Sequence, residues 1–203
     1  FNDFPSKLNK LIYYIIPFFA VVIPTLIVMN QPDLGTGFMI FLLGITMIFI
    51  IGLPWKIVFS ILFITLALIP ILWQQLYEYQ KHRIIVFLNP NIDTLGTGYQ
   101  IIQSKIAIGS GGLFGKGYLL GSQSRLDYLP EKHTDFIFTL ISEEMGFIGS
   151  SLVIFLFTIL IYLLLKNFFK ENNLLNKSII FGISLLIFLY VSMNIGMVSG
   201  LIP

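Results

Sequence analysis

Long uncharged apolar runs, separated by short charged stretches, dominate this chain. A helix that crosses the hydrocarbon core of a bilayer needs about 20 mostly apolar residues. Five runs meet that requirement: 11–29, 34–55, 57–77, 145–165 and 178–203. The first is free of charge. Lys56 alone divides the second from the third, Glu143 and Glu144 precede the fourth, and the fifth is uncharged throughout. A helix at the surface of a soluble protein would return a polar face about every 3.6 residues, and these runs do not. A soluble core accommodates one or two of them. Five predict an all-α, polytopic integral membrane protein with three transmembrane helices over 11–77, a large loop over 78–144 and two transmembrane helices over 145–203.

Within the last run, Gly196 and Gly200 stand at GxxxG spacing. Ordinary packing of small residues between helices is preferred here to a dimer seam. The chain begins at Phe1 without the basic region or cleavage site of a signal peptide. It stops at Pro203 inside an apolar run, so 1–203 reads as an internal fragment of one membrane domain.

Composition narrows the class. The 203 residues are 56% hydrophobic and 11% charged, with a net charge of +2, whereas an ordinary soluble domain is about 25% charged. Disorder, a disulfide-stapled scaffold and a nucleic-acid partner are excluded. The absence of cysteine excludes thiolate catalysis and Cys-ligated metals. Charge also sets orientation. Lys7, Lys10, Lys56, Lys166, Lys170 and Lys177 fall on the side of the N-terminus, and the short loop 30–33 opposite has no basic residue. That side is cytoplasmic by the positive-inside rule, which makes 78–144 extracytoplasmic.

The chemistry concentrates in 78–144. Both histidines, His82 and His133, lie there, with seven of the ten acids. Unstructured loops longer than about 15 residues are uncommon and often functional. Apolar patches at 84–88 and 101–108 suggest a segment resting on or dipping into the outer interface, where backbone must be covered by protein or line a wet cavity. Such a site suits a substrate with a lipid tail and a polar head.

Several known motifs fail. Residues 110–117, SGGLFGKG, imitate a phosphate loop but carry Ser110 and Gly117 where that motif needs Gly and Ser or Thr. Tight turns at a close approach of helices explain these glycines better. GxSxG and HExxH are absent. More informative is 129–138, LPEKHTDFIF. Pro130 suits the first turn of a helix, and Thr134 or Asp127 can cap one. Asp135 reads either as a helix-start carboxylate facing water or as a group at the edge of an apolar helix. A carboxylate at such an edge is costly unless paired, which suits a general base. Glu143 and Glu144 would lie about 12 Å further along a helix, too far to form a dyad with Asp135, and would cap or face a cavity instead. His133 reads as an interfacial side chain bonding backbone in preference to a proton carrier. Lys105, Lys116, Arg125 and Lys132 are the available cations, and several of them converging on one cavity would suit a pyrophosphate leaving group.

Three motifs taken together, QPDLGTG (31–37), GYQIIQSKIAIGSGGLFGKG (98–117) and LPEKHTDFIFTLISEEMGFIG (129–149), closely resemble the SEDS family (shape, elongation, division and sporulation). The stretches 115–117 and 123–126 are more similar to the elongation branch, RodA, than to the division branch, FtsW. The resemblance covers essentially the whole chain. It implies a peptidoglycan glycosyltransferase that polymerises lipid II into glycan strands during cell elongation. It also implies a multi-pass protein of the bacterial plasma membrane with about ten helices, partnered by a class B penicillin-binding protein, a transpeptidase. The family's essential loop Asp maps onto Asp135, and an acid eight positions earlier maps onto Asp127, where the family often has Glu. Two further family features, an acid–base pair on an earlier helix and a late ISYGGSS-like motif, would fall before Phe1 and after Pro203.

By this resemblance Asp135 is the general base that takes the acceptor hydroxyl's proton. Asp127, Lys132, His133, Thr134, Arg125 and Lys105 are the candidate substrate-binding residues. A divalent cation, Mg or Mn, is a further expectation from phosphate chemistry and the family, although no metal-ligand spacing is visible. The rival readings are a lipid II flippase and a non-catalytic scaffold that activates a partner enzyme.

Overall fold

The computed structural model describes residues 12–31, 33–50, 77–89, 92–93, 96–122 and 134–202, with positions 63, 67 and 74. These residues form six helices and no strand: α1 (Ile12–Asn30), α2 (Leu34–Ile50), α3 (Glu78–Leu88), α4 (Thr97–Ser110), α5 (Ile137–Lys170) and α6 (Leu174–Ser199). They divide into two compact units, Phe1–Leu76 with Leu165–Leu186, and Tyr77–Leu164 with Ile187–Pro203.

Close approach and local capping shape the first unit. α1 packs on α2, and a Cβ at Gly44 would strike the side chain of Val21. Small residues let helix backbones meet closely in the absence of a hydrophobic drive from water. Asp33, from the QPDLGTG stretch, caps α2 by accepting the Thr36 N–H at 3.0 Å on Oδ1, which supplies an acceptor to a donor left orphaned at the helix start. In the same unit, Lys177 Nζ sits 4.9 Å from the centroid of the Phe168 ring, and the Phe168 and Phe181 ring centroids are 5.5 Å apart.

The second unit holds the chemistry-bearing segment 78–144, and the structure places helices in it that the sequence reading did not. α3 and α4 occupy much of the segment, and α5 begins at Ile137, eight residues before the apolar run at 145. The patches 84–88 and 101–108 belong to these helices, and they bury Val86, Ser104 and Ala107 almost completely.

α5 and α6 are long and apolar enough to cross a bilayer. Only 11% and 17% of their most apolar windows are buried in the molecule. Ile148, Leu152, Phe155, Leu156, Leu160 and Leu163 of α5 are all exposed. A soluble core helix buries such residues, whereas a helix apolar all round and unburied needs lipid. Two shorter apolar helices precede them, and the run expected at 57–77 lies almost wholly outside the described residues.

The GxxxG pair closes α6. Gly200 takes φ +68°, its N–H bonds the Met197 carbonyl at 3.0 Å, and the Leu201 N–H reaches back to the Gly196 carbonyl at 2.7 Å. This is a Schellman stop, which places glycine in the left-handed conformation just past the helix end. Gly200 also approaches α4, where a Cβ would meet Lys105 Cε and Nζ.

Candidate functional site

The glycine-rich stretch 111–117 and a break in α5 form one structure. Gly146 has φ +66° and ψ −162°, outside helical geometry, yet α5 resumes directly after it. Such a break frees backbone donors and acceptors that a bilayer cannot satisfy. The glycine stretch satisfies them. The N–H groups of Phe147 and Ile148 donate to the carbonyls of Gly112 (2.8 Å) and Leu113 (3.1 Å). The carbonyls of Glu143 and Glu144 accept from Lys116 and Gly117, both at 3.0 Å. Ser150 Oγ adds bonds to the Gly146 carbonyl (2.9 Å) and to Ser142 Oγ (2.8 Å). A Cβ at Gly115 would strike the Glu144 carbonyl, and one at Gly146 would strike the Gly115 N. Glycine is therefore required on both sides of the clasp, and the turn reading of SGGLFGKG is the correct one.

A charge pair locks the clasp. Lys116 Nζ lies 2.7 Å from Glu143 Oε1, and Glu143 is only 1% exposed. Ser122 joins them, accepting from Lys116 at 2.8 Å and donating to Glu143 at 3.2 Å. Glu143 and Lys116 are thus engaged with each other across the clasp. Beside the clasp a cavity of about 290 Å³ opens, lined by Ile108, Phe138, Ser142, Phe147, Ser150 and Ile154 among others. Neither Glu143 nor Glu144 lines it.

Asp135 occupies the turn 134–136 immediately before α5. Its side chain is exposed, and its carboxylate has no hydrogen bond or ion pair with another described residue. The apolar packing at this turn is made by its neighbour Phe136, which is 5% exposed and packs on Val198 with Ile108, Phe138 and Met197 around them. One turn on, Thr139 Oγ1 and Ser104 Oγ of α4 share a buried hydrogen bond of 2.6 Å. From α6, Asn194 Nδ2 donates to the Asp135 carbonyl at 2.9 Å. The Asp135 carboxylate is thus open while the backbone carrying it is held on two sides.

Of the other candidates, Thr134 is exposed on the same turn and Lys105 is exposed on α4 next to Ser104. Arg125, Asp127, Lys132 and His133 lie outside the described residues. Among the described residues no group of three or more His, Asp or Glu stands close enough to hold a metal ion. Sequence reasoning passed over one residue and one pairing here. Asn194 was detectable as a lone amide in a long uncharged run, a position that is costly in a membrane unless bonded. The Lys116–Glu143 pair is separated by 27 positions and leaves no local signal.

The chain matches the family described as Cell cycle protein, which takes in FtsW, RodA and SpoVE, over residues 3–203. It is 46% identical over 184 residues to the peptidoglycan glycosyltransferase MrdB of Escherichia coli K12, covering 90% of this chain and 50% of that protein. It is 42% identical over 179 residues to the stage V sporulation protein E of Bacillus subtilis, covering 88% and 48%. A solved structure concerned with the coordination of polymerization and crosslinking by a peptidoglycan synthase complex superposes with a TM-score of 0.73 at 25% identity, over 94% of this chain and 52% of that one. The chain thus spans about half the length of the relatives it matches. With the family matched from residue 3 to the C-terminus, the chain belongs to the FtsW/RodA/SpoVE family, the SEDS proteins.

Proposed function

We propose that the protein containing this chain polymerises lipid II into peptidoglycan glycan strands at the outer face of the bacterial plasma membrane, as part of cell elongation. The observation that carries this reading is the 46% identity over 184 residues to a peptidoglycan glycosyltransferase. The geometry supports it at Asp135, an exposed carboxylate on a braced turn. In the proposed reaction the acceptor sugar's hydroxyl attacks the anomeric carbon of a sugar linked to lipid pyrophosphate. Asp135 takes the hydroxyl proton as general base. The bond from the anomeric carbon to the pyrophosphate oxygen breaks, and the departing anion needs positive charge. Lys105, Arg125 and Lys132 are the cations proposed for it, with Asp127, His133 and Thr134 assigned to substrate binding. A divalent cation, Mg or Mn, would supply further charge neutralisation. The two lipid tails stay in the bilayer throughout. A class B penicillin-binding protein is proposed as the transpeptidase partner, in keeping with the polymerization and crosslinking of the structural relative.

The test uses the whole protein, purified with its transpeptidase and given labelled lipid II, with crosslinking blocked by a β-lactam. Wild type is expected to make glycan polymer, and Asp135→Asn is expected to make at least 100-fold less, in the range typical of losing a general base. Polymer from both overturns Asp135 as the base. Binding of lipid II without polymer from either protein would move the flippase or scaffold reading ahead.

A further inference from the structure

Asn194 stands in the last two turns of α6, and its side chain reaches a residue 59 positions away. The acceptor it finds is not a neighbour in its own helix but the carbonyl of Asp135, at 2.9 Å. An amide within a long apolar helix is costly unless it makes such a bond. The bond lands on the one turn that presents the exposed carboxylate. Phe136, directly after Asp135, is pinned against Val198, one helical turn beyond Asn194 on α6. α6 therefore holds this turn twice, by an apolar contact that fixes Phe136 and by a hydrogen bond that fixes the peptide plane of Asp135. The apolar contact alone sets depth. The hydrogen bond sets the rotation of the Asp135 peptide, and with it the direction in which Cβ and the carboxylate leave the backbone.

We infer that Asn194 is a positioning residue for the transfer reaction, acting through the backbone of Asp135 and not by touching the substrate. This deepens the proposed function and rests on Asp135 being the base. A general base works only within hydrogen-bond reach of its proton, and a displacement of about 1 Å can cost about 100-fold in rate. Loss of the Asn194 bond is therefore expected to lower turnover and leave substrate affinity alone, because the amide is spent on the Asp135 carbonyl.

The experiment compares Asn194→Leu, Asn194→Asp and Asn194→Gln with wild type and Asp135→Asn in the whole protein with its transpeptidase, using lipid II as the probe. Leu keeps the bulk without polarity. Asp keeps the shape but has no N–H to donate. Gln keeps the N–H at the cost of an added methylene. The expected result is a fall in kcat of about 10- to 100-fold for Leu and Asp, an unchanged KM, and partial recovery in Gln. Hydrogen–deuterium exchange on the same samples reads residues 135–140 and is expected to quicken there in Leu and not along the rest of α5. Wild-type turnover in all three variants, with Asp135→Asn inactive, overturns the inference and leaves the proposed function standing. A rise in KM at constant kcat, Asp outperforming Gln, or unchanged exchange at 135–140 also overturns it. Activity in Asp135→Asn brings down both the base assignment and this inference.

Discussion

Glu143 is the most fully buried charged side chain among the described residues, and its stability depends on company. A carboxylate taken out of water keeps its charge only if the lost hydration is replaced by an opposite charge and hydrogen bonds. Lys116 and Ser122 supply both. Removing one partner of a buried pair costs about 3–5 kcal/mol, because the remaining charge stays behind. Lys116→Met is therefore expected to destabilise the protein by about 3 kcal/mol. Adding Glu143→Gln to Lys116→Met recovers part of that loss, since the stranded charge is then gone. Thermal unfolding of the singles and the double in detergent, treated as a double-mutant cycle, measures this. Additive losses would show that the two side chains are not coupled. At this scale the sequence was half legible. LPEKHTDFIF left Asp135 either facing water or at an apolar edge, and the turn 134–136 directs Phe136 inward and leaves Asp135 out. Which of two adjacent residues faces the core depends on where the turn ends and α5 begins, and hydropathy does not encode that.

At the scale of elements, the clasp between the glycine stretch and α5 sorts glycines that look alike in the sequence. Gly112 and Gly115 both have positive φ, +57° and +79°. A Cβ at Gly112 meets nothing within 4 Å, whereas at Gly115 it meets the backbone of Glu144 and Met145. Gly112→Ala thus bears only the conformational cost, about 1–2 kcal/mol for an L-residue in the left-handed region. Gly115→Ala bears that and must also push the two segments apart, which breaks the bonds that repair α5. The expected order in unfolding temperature is wild type, then Gly112→Ala, then Gly115→Ala well below. Equal losses for the two would remove the clasp as the reason for glycine at 115. Long apolar runs made α5 and α6 legible as helices. The break at Gly146 was not, because nothing within α5 calls for it, and its hydrogen bonds are completed by residues about 30 positions away. α3 and α4 were missed as helices because their apolar patches are too short for a span and were read as surface patches on a loop.

For the whole molecule, the testable quantity is which side of the membrane each connection faces. The argument from charge is independent of the fold. Lysines cluster at 166, 170 and 177, around the connection between α5 and α6, and the positive-inside rule assigns that connection to the cytoplasm. α5 is long enough to cross once, so the clasp, with Asp135 nearby in sequence, is expected outside. The proposed reaction on a lipid-linked sugar at the outer interface requires that arrangement, and a base on the cytoplasmic side could not serve it. These 203 residues hold no cysteine, so once any thiol elsewhere in the whole protein is replaced, a single introduced cysteine reports one position. Tyr118 and Asn172 are both exposed. In intact spheroplasts, a membrane-impermeant maleimide is expected to label Tyr118→Cys and to spare Asn172→Cys until the membrane is opened. The reverse pattern would put the Asp135 turn in the cytoplasm, and polymerisation at the outer face would then be impossible for this site. Labelling of both before lysis would mean that α5 does not cross the membrane, and the topology drawn from the lysines would fail.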